Sequence, residues 1–384
     1  MKPNITDTLP KNLICFSHLR WDFVYQRPQH LLSRFSQATT VWFFEEPVFD
    51  AQVQIYLSVR TESPTLSIVV PHLLPGLTEE QIILAQEKLL NQFIANINLN
   101  DCLFWYYTPM ALKFSSDLKP RFVVFDCMDE LSAFKFAPPE IVALEKKLME
   151  TADLVFTGGY SLYEAKKHRH TNIHPFPSGI EKEHFSKART NLPEPADQAG
   201  LSGPKLGFYG VIDERFNIDL IREMAAARPD WQFMLIGPVV KIDQASLPRN
   251  ANIHYLGQKS YQDLPKYLAT WDVAMIPFLL NDSTQYISPT KTPEYLAAGV
   301  PVVSTPIKDV VNPYGIEDLV HICVDSESWI KAVESELQKS PLNSKAWLER
   351  VDQFLKGVSW DITYKAMHTN ICDTMNNQKI SIAS

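Results

Sequence analysis

Short apolar runs alternate with segments of helical spacing along the first half of the chain. Apolar runs of this length are fit for buried strands, and apolar residues that recur every three or four positions indicate amphipathic helices. The predicted strands are 12–17, 40–44, 66–70, 102–107, 121–125 and 153–156, and the predicted helices are 28–35, 79–97 and 139–149. Strands that alternate with helices are typical of a doubly wound parallel sheet.

The second half repeats this alternation, and several of its strands end in glycine. The predicted strands are 205–209, 231–236, 253–256, 272–277 and 319–324, with helices ending near 228 and at 260–271, 327–338, 344–355 and from 360 onward. Gly210 and Gly237 directly follow two of these strands. A glycine there lets the backbone approach a ligand closely.

The composition changes between residues 185 and 204, where Pro, Gly and polar residues dominate. Such a stretch indicates a linker between domains. We therefore expect an N-terminal domain at 1–190, completed by a helix at 360–384, and a C-terminal domain at 200–358. A chain of 384 residues is long enough for two such cores.

The overall composition excludes several classes of protein. With 45% hydrophobic and 21% charged residues, the chain is typical of a globular protein. A net charge of −8 argues against general nucleic-acid binding. No apolar run approaches the ~20 residues of a membrane span, and the N-terminus lacks the pattern of a signal peptide. We expect a cytoplasmic protein that at most lies on the inner face of a membrane.

Five cysteines stand without the paired spacing of a zinc site. Most lie inside apolar runs, which favours reduced thiols in the core over disulfides or metal ligands. A reducing compartment follows from this interpretation. We predict no metal and no cofactor.

Residues 288–306 carry the main chemical signal. Thr292 as N-cap, Pro293 in the first turn and Gly299 as the stop predict a short helix that leads into a buried strand. The backbone N–H groups at its N-terminus favour phosphate, Lys291 adds a positive charge, and Glu294 can accept hydrogen bonds from sugar hydroxyls. The pattern predicts a nucleotide-sugar pocket; the alternative is an ordinary capped helix.

The string Glu-Tyr-Leu-Ala-Ala-Gly at 294–299, followed by Val-Pro-Val-Val, resembles the retaining, family-4-like glycosyltransferases of the GT-B fold. The resemblance extends more loosely from residue 12 to the last helix. It implies two facing Rossmann-like domains, a last helix that crosses back to the first domain, and a donor site in the second. It also implies that the departing phosphate accepts the proton of the acceptor, so that no separate base is needed.

The resemblance implies a set of residues for the donor. In the family, an arginine and a lysine after the strand-end glycine grip the diphosphate; here Val211 follows Gly210, and only Arg215 is available, at a shifted position. The base of the nucleotide is expected against the turns at Gly237 and at 256–261. The predicted donor-binding residues are Gly210, Arg215, Gly237, Leu256, Tyr261, Thr290, Lys291 and Glu294.

One position departs from the family pattern. The family carries a pair of glutamates eight positions apart, and Tyr286 stands eight before Glu294. The acid that faces the donor sugar in the family is therefore missing. Asn281, Asp282 and Gln285 are candidates to replace its contacts, or they are ordinary polar loop residues.

The loop after the first predicted strand is rich in His, Arg and aromatic residues. In an open parallel sheet, ligands gather at the carboxyl ends of strands, which is where this loop lies. His18, Arg20, Trp21 and Arg27 are therefore the acceptor-side candidates. The alternative is an aromatic lid packed for stability, with its arginines in ion pairs.

Two acids follow another predicted strand. Asp126 and Asp129 could orient an acceptor hydroxyl or take its proton. They could equally cap a helix and satisfy loop amides. With Lys291 and Arg215, they complete the predicted catalytic set.

The leading hypothesis is a metal-independent glycosyltransferase that uses a UDP- or GDP-linked sugar and a glycan or lipid-linked acceptor. Asp-x-Asp, the signature of the metal-dependent architecture, does not occur in the chain. The basic stretch 164–170 is either a solvated helix end or a site for membrane lipid. The alternatives are a nucleotide-sugar epimerase or phosphorylase-like enzyme and a non-catalytic sugar-binding scaffold; a dinucleotide oxidoreductase is disfavoured because Gly-x-Gly-x-x-Gly is missing.

Overall fold

The computed structural model describes residues 8–383, and the side chains of all of these except 341–343 and 381–383. The chain forms two compact units. Unit 1 takes in the described residues up to Ser132, then Phe136–Pro177 and the residues from Thr363 onward. Unit 2 takes in Ala133–Lys135 and Ser178–Ile362.

Unit 1 is built on an eight-stranded sheet with the order β3-β4-β2-β1-β5-β6-β7-β8. Its strands are β1 (Asn12–Phe16), β2 (Thr40–Phe44), β3 (Tyr56–Ser63), β4 (Leu66–His72), β5 (Cys102–Tyr106), β6 (Phe122–Cys127), β7 (Leu154–Thr157) and β8 (Ile173–Pro175). Neighbouring strands run parallel except for the antiparallel pair β3 and β4. The winding of the chain reverses between β1 and β5, and ligands of open α/β sheets bind at the carboxyl ends of the strands beside such a switch point.

The α-helices of unit 1 cover the faces of this sheet. They are α1 (Arg27–Phe35), α2 (Glu79–Ile94), α3 (Leu112–Ser115), α4 (Ile141–Thr151) and α5 (Tyr160–Lys166). Because strands with helices on both faces have no solvent-exposed side, β5 is buried at every position, which explains its continuous apolar sequence. All five cysteines of the chain are buried free thiols.

Strand β3 was not predicted from the sequence. It lies at the edge of the sheet, and most of its residues are exposed. Its sequence, Tyr-Leu-Ser-Val-Arg-Thr-Glu-Ser, is mostly polar because none of its residues is buried. It therefore lacks the apolar run by which the buried strands are identified.

Unit 2 contains a six-stranded sheet, parallel throughout, with the order β11-β10-β9-β12-β13-β14. Its strands are β9 (Lys205–Tyr209), β10 (Gln232–Ile236), β11 (Ile253–Gly257), β12 (Val273–Ile276), β13 (Val302–Ser304) and β14 (Val320–Ile322). In chain order this is the 3-2-1-4-5-6 arrangement of the Rossmann fold, with its switch point between β9 and β12. The prediction of two Rossmann-like domains with parallel sheets is confirmed.

The remaining α-helices follow in chain order. They are α6 (Lys182–Phe185), α7 (Ile218–Ala227), α8 (Leu264–Leu268), α9 (Lys291–Ala298), α10 (Lys308–Val310), α11 (Ser326–Leu337), α12 (Pro341–Phe354) and α13 (Trp360–Ala383). Within the described residues, no helix combines the length and the apolar character needed to cross a bilayer.

Residues 178–190, which the sequence analysis assigned to the first domain, belong to unit 2. The physical reason is the burial of three apolar side chains. Ile180, Phe185 and Ala188 all lie in the hydrophobic core of unit 2. Phe185 and Ala188 thus lie inside the stretch 185–204 that the composition assigned to a linker.

Helix α13 starts in unit 2 and continues with residues that belong to unit 1. Within unit 1, Tyr364 packs against Phe35 with ring centroids 4.9 Å apart. Further along, Asn172 donates a hydrogen bond to the Thr374 hydroxyl at 3.0 Å, and Gln378 donates one to Asp153 at 2.6 Å. The last helix is thus held by side-chain contacts along its length. Residue 384, the predicted end of this helix, lies outside the described residues.

Candidate donor site

The loops that follow β9 and β12 meet at the switch point of unit 2. The backbone N–H of Leu279 donates to the carbonyl of Arg215 at 2.7 Å, and that of Asn217 donates to the carbonyl of Pro277 at 2.8 Å. Ligands of open α/β sheets bind between two such loops. The candidate site is therefore built around the carboxyl end of β9.

Two strand-end glycines shape the floor of this site. Gly210 and Gly237 both have φ of +139°, a conformation that favours glycine. A β-carbon at position 237 would lie 1.9 Å from the carbonyl oxygen of Gly210. One at position 210 would lie 2.3 Å from Cε and 2.8 Å from Nζ of Lys291. Glycine is needed at both positions, and the ammonium of Lys291 lies directly over the Gly210 turn.

Helix α9 begins at Lys291, with Thr290 as its N-cap, and ends before Gly299. The prediction that Thr292 caps the helix is wrong, because the N–H of Thr292 already bonds to the carbonyl of Pro289 and the turn has started. Thr292 is fully buried inside the first turn. The predicted stop is confirmed, since Gly299 has a left-handed φ of +79°.

Glu294 is buried, with 5% of its surface exposed. Its Oε2 accepts a hydrogen bond from the hydroxyl of Tyr209 at 2.5 Å. The pKa of Glu294 is raised to about 7, because burial and, to a lesser extent, the nearby Glu181 raise it more than the Tyr209 hydroxyl and the Lys291 charge lower it. The carboxyl therefore titrates near neutral pH, as functional carboxyls in clefts often do.

Sequence reasoning missed both Tyr209 and Glu181 as neighbours of Glu294. Tyr209 is the last residue of a buried strand and reads as an ordinary core position. Glu181 precedes α6 and is separated from Glu294 by most of unit 2 in sequence. The only signal for Glu181 in the sequence is its acidic side chain, and no local pattern distinguishes it from the other acidic residues.

Arg215 lies in the loop after β9, as predicted, but its guanidinium is engaged. Its Nη2 bonds to Oδ2 of Asp213 at 2.6 Å, and its Nε bonds to Oδ1 at 3.0 Å. It also lies 5.2 Å from the ring centroid of Phe134, which belongs to the same unit. The side chain of Arg215 is 21% exposed. A phosphate would have to displace Asp213 before it could accept hydrogen bonds from both Nε and Nη2 of Arg215.

The residues predicted to contact the base lie near the carboxyl end of β11. Leu256 is in that strand, and Tyr261 opens a short 3-10 turn after it. The ring of His184 stacks on that of Tyr261 with centroids 4.6 Å apart, and its Nε2 donates to the Tyr261 carbonyl at 2.9 Å. Burial lowers the pKa of His184, so the ring is held neutral. His184 was not identified from the sequence.

At the position of the missing family glutamate, Tyr286 is half-buried, and the ammonium of Lys308 lies 5.6 Å from its ring centroid. The three candidates to replace the missing glutamate, Asn281, Asp282 and Gln285, differ in their contacts and exposure. Oδ1 of Asn281 accepts bonds from the backbone N–H of Ser283 at 3.0 Å and from its hydroxyl at 2.7 Å, which closes a local turn. Asp282 is exposed and Gln285 is half-buried.

In unit 1, Arg27 and Asp126 pair with each other. Asp126 lies inside β6 rather than after it and has no exposed surface. The Nη2 of Arg27 bonds to Oδ1 of Asp126 at 2.8 Å, its Nε bonds to Oδ2 at 3.0 Å, and its Nη1 donates to the carbonyl of Phe176 at 2.7 Å. This bidentate pair holds the start of α1 to the sheet. Its geometry favours a structural role over acceptor binding or proton transfer.

The loop after β1 is held in place by Glu45. The Nη1 of Arg20 bonds to Oε2 of Glu45 at 2.9 Å, and the N–H of Trp21 bonds to Oε1 at 2.8 Å. Trp21 is buried, and its carbonyl accepts from Gln29 at 2.6 Å. The structure thus favours the packed-lid alternative for Arg20 and Trp21.

Two of the predicted residues in unit 1 are half-buried in loops that follow strands. His18 lies in the loop after β1, and Asp129 lies in the loop after β6. Both remain candidates for the acceptor side. Neither belongs to the Arg27–Asp126 pair.

The basic stretch at 164–170 carries little excess charge in the folded chain. Lys166 is buried, with Glu145 at 2.8 Å and Glu130 at 2.7 Å. Lys167 pairs with Glu164, and Arg169 pairs with Glu145. This stretch is therefore largely neutralised by its own neighbours, which favours a helix end over a lipid site.

Replacing Asp126 with Asn should strongly destabilise the protein. The free energy of unfolding is expected to fall by about 3–5 kcal/mol, because the substitution leaves the Arg27 charge buried without its counter-charge. Urea unfolding measures the loss. The control is Asp101→Asn, which removes the exposed partner of Lys11 and should cost at most about 1 kcal/mol. Equal stabilities for both variants would contradict a structural role for the pair.

Replacing Glu294 with Gln should change how stability depends on pH. The pKa of Glu294 is about 7 in the folded chain, above the ordinary 4.5, so the wild type loses stability as pH rises through this window. Glu294→Gln has no such loss, and its advantage over the wild type at pH 8 should exceed that at pH 5 by up to about 3 kcal/mol. Thermal melts at both pH values, with the exposed Glu349→Gln as control, measure this. A constant difference would contradict it.

Comparisons with known proteins agree with this geometry. Residues 203–339, which hold most of unit 2, match the model of the family Glycosyl transferases group 1. A protein of Bacillus subtilis (strain 168), TuaH, which is named as a teichuronic acid biosynthesis glycosyltransferase, is 28% identical over 301 residues, covering 73% of this chain and 70% of its own length.

Solved structures show the same fold at low sequence identity. The E. coli trehalose-6-phosphate structure bound with UDP-2-fluoro glucose has a TM-score of 0.71 and 13% identity, and the match covers 94% of this chain and 99% of that one. The sucrose-phosphate synthase of Thermosynechococcus elongatus has a TM-score of 0.69 and 14% identity, with coverage of 97% and 100%. These comparisons show a glycosyltransferase of the GT-B fold, whose residues 203–339 are similar to the family Glycosyl transferases group 1.

Proposed function

We propose that this enzyme transfers a sugar from a nucleoside-diphosphate sugar to a glycan or lipid-linked acceptor, with retention of configuration and without a metal ion. One observation carries the proposal. The Lys291 ammonium lies over the Gly210 turn at the switch point, at the N-terminus of the helix that holds Glu294.

The leaving group of such a reaction is a diphosphate, whose charge grows as the glycosidic bond breaks. A fixed ammonium and the free N–H groups of a helix N-terminus stabilise that charge. Lys291 supplies the ammonium, and the positive end of the α9 dipole adds to it; in the first turn the N–H of Thr292 already donates to the carbonyl of Pro289, and Pro293 has no N–H. Arg215 supplies a second cation if its guanidinium exchanges the Asp213 carboxylate for the phosphate.

Glu294 is the residue that we assign to the ribose. Its buried carboxylate can accept hydrogen bonds from ribose hydroxyls, and a buried acceptor discriminates strongly against a ligand that lacks the matching donor. Tyr261 and Leu256, with the Gly237 turn, are assigned to the base. These assignments extend the family resemblance to helix α9 and to positions near the carboxyl ends of β10 and β11.

The relatives support the choice of substrates to test. The E. coli structure contains UDP-2-fluoro glucose, and the synthase of Burkholderia vietnamiensis is described as UDP-forming. Another structure of trehalose-6-phosphate synthase was studied for glycosyl transfer with retention. The Bacillus relative is named for teichuronic acid biosynthesis, which supports a cell-envelope polysaccharide as acceptor.

A non-catalytic scaffold is the second candidate, and one observation favours it. Tyr286 stands where the family carries a sugar-facing glutamate, and Lys308 rather than a carboxylate lies against its ring. A scaffold would bind nucleotide without turnover of any sugar donor. Release of nucleoside diphosphate in the presence of acceptor distinguishes the two.

Replacing Lys291 with Met should abolish most of the activity. Loss of one preorganised charge at the leaving group lowers kcat/KM by about 10²–10³-fold. The assay is donor turnover after UDP, GDP, dTDP and ADP have been screened for thermal stabilisation of the wild type. Lys266→Met, which removes an exposed lysine paired with Asp263 in the same unit, is the matched control. Full activity in Lys291→Met would contradict the proposed site.

Removal of divalent cations should leave the rate almost unchanged. A metal that stabilised the leaving phosphate would contribute several kcal/mol, whereas we expect a change within about twofold on addition of chelator. The measurement is the initial rate of transfer with excess EDTA. Loss of activity that is restored by Mg²⁺ or Mn²⁺ would contradict metal independence.

A further inference from the structure

We propose that Tyr209 is a positioning residue for the donor: its hydroxyl holds Oε2 of Glu294 and leaves Oε1 to receive a ribose hydroxyl. This inference rests on the proposed function, in which Glu294 contacts the ribose. It adds a residue of strand β9 to a site that the family motif places on helix α9.

Tyr209 is itself held firmly in the core of unit 2. It is 6% exposed, and its backbone N–H donates to the hydroxyl of Tyr295 at 3.0 Å. Its ring lies edge-on to Tyr295 at 4.9 Å and tilted towards Trp271 at 6.3 Å. Because its backbone is hydrogen-bonded and its ring packs against two others, the Tyr209 side chain is fixed relative to strand β9. Its hydroxyl can therefore fix the position of its hydrogen-bond partner.

The contact with Glu294 has a defined direction. Burial, together with the neighbouring Glu294 carboxylate, holds the pKa of Tyr209 well above its ordinary value, so its hydroxyl stays protonated and is the donor. Among the residues that the structure describes, no other group donates a hydrogen bond to Glu294. Tyr209 therefore orients the carboxylate, and Oε1 is left for a donor from the substrate.

The same contact sets the charge of Glu294. The hydrogen bond from Tyr209 stabilises the ionised carboxylate and lowers the pKa of Glu294, against the effect of burial. The other titratable groups that act on this pair are Lys291, Glu181, Tyr261 and Tyr295. Because an ionised carboxylate is the better acceptor for a hydroxyl, loss of the Tyr209 hydroxyl should weaken donor binding most at neutral pH and least at alkaline pH.

The test is the pH dependence of nucleotide affinity. Calorimetry from pH 5.5 to 9 would use whichever of UDP, GDP, dTDP or ADP stabilises the wild type, on the full chain. Tyr209→Phe should bind about tenfold more weakly at pH 7, and the pH at which affinity rises should be higher than in the wild type. Glu294→Gln lacks the titrating carboxyl, so it should not show this rise in affinity. Any pH dependence that remains in this variant comes from titration of the phosphate of the nucleotide.

The matched control is Tyr267→Phe, which also removes a hydroxyl bonded to a carboxylate, that of Asp197 at 3.0 Å, away from Glu294. Tyr267→Phe should not change the pH at which nucleotide affinity rises. If Tyr209→Phe does not fold, 3-fluorotyrosine at position 209 keeps the shape and makes the hydroxyl a stronger donor, so nucleotide affinity should rise at a lower pH.

The outcomes separate the two proposals. A rise in affinity at an unchanged pH in Tyr209→Phe, or in the fluorotyrosine protein, would overturn the positioning role and leave the donor site intact. A wild type that binds none of the nucleotides would overturn the proposed function itself. A Glu294→Gln variant that binds as tightly as the wild type would overturn the assignment of Glu294 to the ribose, and with it the role of Tyr209.

Discussion

The buried carboxyl of Glu294 is the constraint on which the donor site depends. A carboxylate can lie inside a domain only if hydrogen bonds or opposite charge offset its loss of water. Tyr209, from the central strand, and Lys291, one turn earlier on α9, provide this compensation. The strand and the helix are therefore linked, because Tyr209 on β9 stabilises the buried carboxyl of Glu294 together with Lys291 on α9.

Close backbone packing makes room for that group. Gly210 and Gly237 approach so closely that neither tolerates a side chain, and this leaves an open turn beneath the Lys291 ammonium. An anionic ligand at this point would meet the Lys291 ammonium. A site that is already polarised towards a negative charge suits a reaction in which a diphosphate departs.

Two arginine–aspartate pairs show how burial separates structure from function. Arg27 and Asp126 are almost completely buried, with side-chain exposures of 2% and 0%, so exchange of partner would leave a charge in the core. Arg215 is 21% exposed, and its loop lies at the switch point. The same chemical pair can hold a sheet together in one unit and be available to a ligand in the other.

The sequence by itself determined the architecture and the helix at the centre of the proposed donor site. Alternating apolar runs predicted both parallel sheets, and residues 290–299 predicted a helix that carries Lys291 and Glu294, because these signals are local and periodic. It could not reveal the edge strand β3, whose exposed side chains lack a periodic pattern, or the partners of Arg27 and Glu294. Only the tertiary structure decided that Asp126 is a buried counter-ion and that Tyr209 holds Glu294, since these contacts join residues about a hundred positions apart. Local sequence carries no record of such distant pairing, which the packing of the sheet alone creates.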